Sequence, residues 1–314
     1  MLLGFVMAMF PALMQPKMEK ITGDDSLALG HFGSSCYFIS AQIGKIFGGG
    51  KSTEEVNFPQ GLSFLRDNTI SIAIVMFFCY IVVAGAAEFG NPEAAAPIRG
   101  ESNWIIFSVI QSITFSAGIY IVLAGVRLLI AEIVPAFKGI SEELIPNAKP
   151  AIDCPIVFPF APNAVLIGFL SSFIGGIIGL AILALMNQGG IAAAIILPGA
   201  VVHFFCGATA SVCGNATGGL RGCVAGAFVH GVVVTFFAAA LLPVLGNFGF
   251  ANTTFSDADF TVVGIVFGNI SKAFGGSVLF MLIVALFALP IICNFAAPKP
   301  VVEPPQDDSD SDQN

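Results

Sequence analysis

The chain has 314 residues, of which 56% are hydrophobic and only 10% charged, and its mean hydropathy is +0.90. Soluble domains carry about 25% charged residues, so composition alone marks an integral membrane protein. The formal net charge of −8, with no strongly basic stretch, excludes a nucleic-acid-binding role.

Repeated apolar runs approach or exceed the ~20 residues that a helix needs to cross a ~30 Å hydrocarbon core. None shows the strict ~10-residue alternation of a lipid-facing β-barrel, so the expected fold is all-α: a polytopic transmembrane helical protein with re-entrant or broken helices. The first piece, "MLLGFVMAMFPALM", has no positive stretch ahead of it and no small-residue cleavage site, and reads as the end of a membrane helix rather than a signal peptide. Residues 15–30 form a polar connection, and a half-apolar segment runs from Gly30 to Phe47. The following "GKIFGGGKST" mimics a phosphate-binding P-loop. The first glycine of that pattern would fall on Lys45 and no strand precedes it, so an interhelical loop is the better reading.

Residues 69–87 predict a transmembrane helix and 88–102 a loop. From Trp104 to Val134 the apolar run is too long for an upright helix and is expected to tilt, or to break at Gly118 or Gly125, with Arg127 and Glu132 anchoring its end. A polar amphipathic connector covers Phe137 to Ala148. Val165 to Met186 predicts a second clear helix, with Gly175 and Gly179 forming a small-residue face. Further spans are expected at about 190–205, 224–246 and 276–296, and His203 and His230, inside two of them, as interhelical hydrogen-bond partners. "GNFGFANTTFSDADF" reads as a loop; its Asn252-Thr253-Thr254 and the earlier Asn215-Ala216-Thr217 fit the glycosylation pattern, which is too short to carry weight.

The seven cysteines are scattered and mostly in apolar segments, as small buried hydrophobes rather than a disulfide or zinc framework. No metal site, cofactor or catalytic residue is expected. Basic residues in the 45–66 loop and the 138–149 connector place both on the cytoplasmic side. Residues 1–297 are thus one membrane unit, and 298–314, with five acidic residues among prolines and serines, a disordered acidic tail.

The chemistry-bearing stretch is "KPAIDCPIVFPFAPNAV", residues 149–165. A carboxylate at membrane depth costs about 2.5 kcal/mol or more and normally faces a cavity or a partner. Prolines at 150, 155, 159 and 162 free backbone groups that hydrocarbon would leave unsatisfied, so the segment is expected to line a polar pocket, with Asp153 and Asn163 among its polar groups. His31, in "LALGHF", is the second candidate, since imidazole can donate to and accept from a solute hydroxyl.

"GVRLLIAEIVPAFKGISEELIPNAKPAIDCPIVFPFAPNAVLIGF" (125–169), with "LSFLRDNTISIAIVM" (62–76) and "LALGHF" (27–32), closely resembles the membrane IIC component of the ascorbate-specific phosphotransferase system. The resemblance implies a homodimeric permease in a bacterial inner (plasma) membrane, with a dimerising V-shaped domain and a substrate-carrying core domain that moves as a rigid body. It also implies IIA and IIB partner subunits, the IIB cysteine supplying the phosphoryl group to the bound sugar. The family's Gly-His element falls on Gly30 and His31 and its Ile-Asp-Cys element on Ile152, Asp153 and Cys154, all expected at the substrate. Two departures stand out. Members of the family extend further at the N-terminus, so this chain is expected to be a fragment or one half of a split permease; and a glutamine follows the histidine there, where Phe32 stands here. An ion-coupled secondary transporter, which also uses broken helices and membrane carboxylates, is the alternative.

Overall fold

The computed structural model describes residues 2–56, 68–145, 148–191, 194–245, 255 and 257–296. The acidic tail and the Asn252 pattern lie outside the described residues. In chain order the elements are α1 (Leu2–Thr22), β1 (Ala28–Leu29), α2 (Ser34–Ile46), α3 (Asn68–Gly90), α4 (Pro92–Arg99), α5 (Trp104–Glu143), β2 (Ala151–Ile152), a 3₁₀ helix (Cys154–Phe160), α6 (Pro162–Gln188), α7 (Ala200–Leu245), α8 (Ala258–Phe274) and α9 (Gly276–Ala296). Helices α3, α5, α6 and α7 are long and apolar enough to cross a membrane. The protein is an all-α, polytopic helical membrane protein.

The 88–102 segment is a helix rather than a loop. Asn91 accepts a hydrogen bond from the Ala94 amide, Pro92 occupies the first turn, and Gly100 ends α4 at φ 62°. In α5 neither Gly118 nor Gly125 breaks the helix. A glycine costs a helix only about 1 kcal/mol, less than a broken ladder would cost in hydrocarbon. Its Ser108, Ser112 and Ser116, four residues apart, form a buried stripe, and Ser116 donates to the Thr69 carbonyl of α3.

The largest departure from expectation is α7. Its 46 residues would extend ~69 Å if straight, more than twice the hydrocarbon core. Gly219 breaks it, with φ 61° and ψ −153°. A side chain on Gly214 would collide with the Gly222 carbonyl, and one on Gly222 with that of Gly214. Residues eight apart on a straight helix are separated by ~12 Å, so the two arms double back as a hairpin. Ser172 of α6 accordingly lies against Gly207 on one arm and Gly231 on the other. The expected span at 224–246 is the second arm, which runs from the Gly219 break to Leu245, whereas the one at 190–205 is displaced: residues 194–199 are not helical, and Pro198 and Gly199 delay the first arm to Ala200.

Backbone contact at Gly44 carries α2 across the hairpin near its turn, where Gly214, Gly218 and Gly222 leave no room for a side chain. The P-loop mimic has a structural use here. Leu220 donates to the Lys51 carbonyl (2.8 Å), the Thr53 amide donates to Asn215 Oδ1 (3.0 Å), and Asn215 Nδ2 donates to Ser52 Oγ (3.2 Å), so residues 51–53 cap the turn. Phe158, Phe169 and Phe204 fill the core between the 3₁₀ helix, α6 and the first arm.

Candidate functional site

Two broken segments that lie far apart in sequence meet as a parallel two-residue bridge, Ala28 opposite Ala151 and Leu29 opposite Ile152. Ala28 donates to the Pro150 carbonyl (2.9 Å) and Gly30 to that of Ile152 (2.8 Å), so the β1 segment supplies donors to carbonyls of the proline-interrupted one. A Cβ on Gly30 would sit 3.0 Å from that of Ala151, so the close approach leaves little room for a side chain. Lys149 pairs with Asp25, which also accepts from Gln15, and clamps the outer end of the bridge.

That clamp holds the Asp25 carboxyl below the usual carboxylate range, first through the hydrogen bond from Lys149 and then through that from Gln15. A depressed carboxylate stabilises the fold above its unfolded-state value near ~3.9, and the contribution is lost as pH falls through the folded-state value. Asp25→Asn is therefore expected to lower the melting temperature slightly at neutral pH. The gap to the unmodified chain should close in acid; a gap independent of pH would show that the charge is not involved.

The bridge delivers His31 beside Asp153. His31 Nε2 lies 3.7 Å from Asp153 Oδ1 and 3.6 Å from Asp257 Oδ1. Both separations exceed hydrogen-bond length, so the three groups keep bonding capacity for a further molecule. The Asp153 side chain is 70% exposed and that of His31 16%. On the other side of the ring, Nδ1 accepts from the Gly33 amide (3.1 Å) and meets the Tyr37 hydroxyl at 2.7 Å. An amide can only donate, so the Nδ1 lone pair faces it and the ring proton sits on Nε2, aimed at the two carboxylates.

His31, Cys206 and Asp257 have donor atoms within 4.8 Å of one another, as do His31, Asp153 and Cys154. By composition these are metal-type sets. A ligating Nε2 would have to shed the proton that the Gly33 amide keeps there, so the arrangement suits hydrogen bonding better than coordination.

Asp153 also accepts from the Cys154 amide (2.7 Å) and so starts the 3₁₀ helix, whose first residue, Cys154, is buried. Asn163 is placed elsewhere. Its side chain donates to the Thr53 carbonyl, and its amide, with that of Ala164, donates to Glu54, which caps α6. The Phe32 ring stacks on Phe260 of α8 at 4.0 Å between centroids. Phe32→Gln is therefore expected to cost about 1 kcal/mol of packing, read as a lower melting temperature, with solute preference unchanged. A changed preference at equal stability would put the ring at the solute.

Three contributors escaped sequence reading. Asp257 and Asp259 sit in a stretch that reads as a loop, and Tyr37 in an apolar segment. Asp259 is almost fully buried and accepts from the Ser34 (3.0 Å) and Ser35 (2.8 Å) amides, capping α2 from the far end of the chain, while its own amide donates to Phe32. It fixes the turn that presents His31.

Behind the site, Ser172 Oγ joins His203 Nδ1 (2.8 Å) and His230 Nδ1 (3.0 Å), the interhelical bonds that their positions suggested. One hydroxyl proton can serve only one of the rings, so the other donates to Ser172. His230 stacks on Tyr37, and Tyr37 on His31.

A family model described as PTS system sugar-specific permease component matches residues 1–259, a range that includes His31, Asp153 and Asp257. An ascorbate-specific PTS system EIIC component of Mycoplasma pneumoniae (strain ATCC 29342 / M129 / Subtype 1) is 28% identical over 224 residues, covering 65% of this chain and 34% of that relative. The chain thus spans about a third of the length of the curated relative it matches.

Proposed function

Because the chain belongs to the family of PTS system sugar-specific permease components, we propose that it binds ascorbate or a related sugar acid or polyol at His31, Asp153 and Asp257 and carries it across a bacterial plasma membrane for phosphorylation by a separate IIB subunit. The observation that carries this is the meeting of one imidazole with two carboxylates in an otherwise apolar protein: the β1–β2 bridge sets His31 beside Asp153, and the start of α8 brings Asp257 to the same ring nitrogen. Such a set suits a polyhydroxylated solute: hydroxyls donate to the carboxylates and accept from Nε2–H. An anionic solute has to turn its hydroxyls, not its charge, toward this face.

The chain's contribution to phosphoryl transfer is positional. It holds the accepting hydroxyl while IIB, itself charged through IIA, brings the phosphoryl group. Helices α3 and α5, which pack on each other, suit the dimerising module, and α2, α6 and α7 the core that carries the solute. The remainder of a permease would come from another segment or polypeptide.

The test is equilibrium binding of labelled ascorbate and neutral polyols to purified chain, followed by assay for sugar phosphate in liposomes supplied with phosphorylated IIB. Saturable binding and solute phosphate are expected. Gradient-driven uptake of unmodified solute would instead support the ion-coupled alternative, and absence of binding to any of the panel would remove the assignment.

A further inference from the structure

Away from the solute site, α3, α4 and the start of α5 enclose a cavity of about 210 Å³ lined by Ala84, Ala87, Ala95, Ile98, Trp104 and Phe107. Small residues make it. Three alanines supply the walls toward α3 and α4, and Gly85 lets the Trp104 ring lie on α3, where a Cβ would stand 3.3 Å from it. Phe89 meets that ring edge-on at 5.8 Å between centroids.

The two charges at the cavity are already used. Arg99 Nε and Nη2 donate to the two Glu88 oxygens at 2.9 and 3.2 Å, and Nη1 donates to the Gly100 and Ser102 carbonyls. A guanidinium so fully satisfied has little left for a phosphate, and its carboxylate partner cancels its charge. The rim is apolar and open at the end of two candidate spans: Val83 is 58% exposed, Ile98 74% and Phe89 81%. A tryptophan beside a short helix at the end of two spans is the usual furniture of the membrane interface.

We infer that this cavity is a lipid site, occupied by an acyl chain of a membrane phospholipid that wedges between α3, α4 and α5, with the headgroup left outside. The walls offer hydrocarbon only dispersion contacts and apolar surface, which is what a methylene chain returns, and the neutralised ion pair closes the polar end without selecting a headgroup.

Trp104 is the single tryptophan of the chain, so its fluorescence reports this site alone. The full chain is reconstituted into phosphatidylcholine bilayers in which a rising fraction of lipid carries bromine on the acyl chain. Strong quenching is expected, and Ala87→Phe, which fills the cavity, should reduce it by about half. Ala84→Leu gives an independent filling variant should Ala87→Phe fail to insert, and circular dichroism checks that each folds. Replacing the headgroup by phosphatidylglycerol should leave quenching unchanged. Equal quenching in the original and both filled variants would overturn the site. Preference for the anionic headgroup would overturn the acyl-chain assignment, and quenching that rises as the protein is diluted in the bilayer would show a second copy in its place.

Discussion

Asp153→Asn and Asp257→Asn are each expected to weaken solute binding by about 10- to 100-fold while leaving the protein folded. A hydrogen bond to a charged group contributes about 1.5–3 kcal/mol, and each 1.4 kcal/mol is tenfold in affinity. Asparagine retains an oxygen for the Cys154 amide at position 153, so the 3₁₀ helix keeps its start. At 257 the oxygen can still receive the Cys206 thiol. Asp259→Asn is the contrasting case. Both of its oxygens take backbone amides of α2, and an asparagine would press an NH₂ group against one of them. It should lower stability by about 1–3 kcal/mol, with binding lost only as His31 loses its placement. Calorimetric binding and thermal unfolding of the three purified variants separate these roles. Unchanged affinity in both Asp153→Asn and Asp257→Asn would remove the carboxylates from the solute site.

Gly219→Ala is expected to be strongly destabilising. The residue stands at φ 61° and ψ −153°, a conformation that L side chains rarely adopt, and the added carbon would run into the Gly50 and Lys51 carbonyls that cover the hairpin turn. Backbone strain of this kind costs about 1–3 kcal/mol, and overlap with the backbone adds to it. The two arms of α7 then lose their turn, and with it Ser172 loses the simultaneous reach to His203 and His230. Gly118→Ala is the matched control. Gly118 lies inside α5 with nothing within 4 Å of the added carbon, so alanine there should stabilise by about 0.5–1 kcal/mol. Thermal inactivation in detergent reads both; a Gly219→Ala protein as stable as the original would mean that the turn accommodates a side chain.

Asp153 shows how far the sequence leads. A carboxylate and four prolines within an apolar chain announce broken backbone around a polar group, because hydrocarbon solvates neither, and the structure places that group beside His31. Long apolar runs likewise announced α3 and α6, since spanning length is a property of each segment taken alone. Glycine 219 was not legible in the same way. Hydropathy measures how apolar a segment is and not where it turns back, and a glycine among many glycines carries no mark of its dihedral angles. Asp257 and Asp259 were hidden for a related reason: in a polar stretch, acidic residues read as solvated, and only packing against α2 and His31 distinguishes them.

Membrane residence, helical class and the need of Asp153 for a polar partner were determined by the sequence itself, because each follows from the transfer cost of individual groups into hydrocarbon. The tertiary structure decided which partner that is, how α7 divides, and which aspartate caps a helix while another faces the imidazole. Those depend on pairings across more than 100 residues, such as Leu29 with Ile152 and Asp259 with Ser34, and such pairings are selected by mutual fit, of which neither segment alone bears a trace.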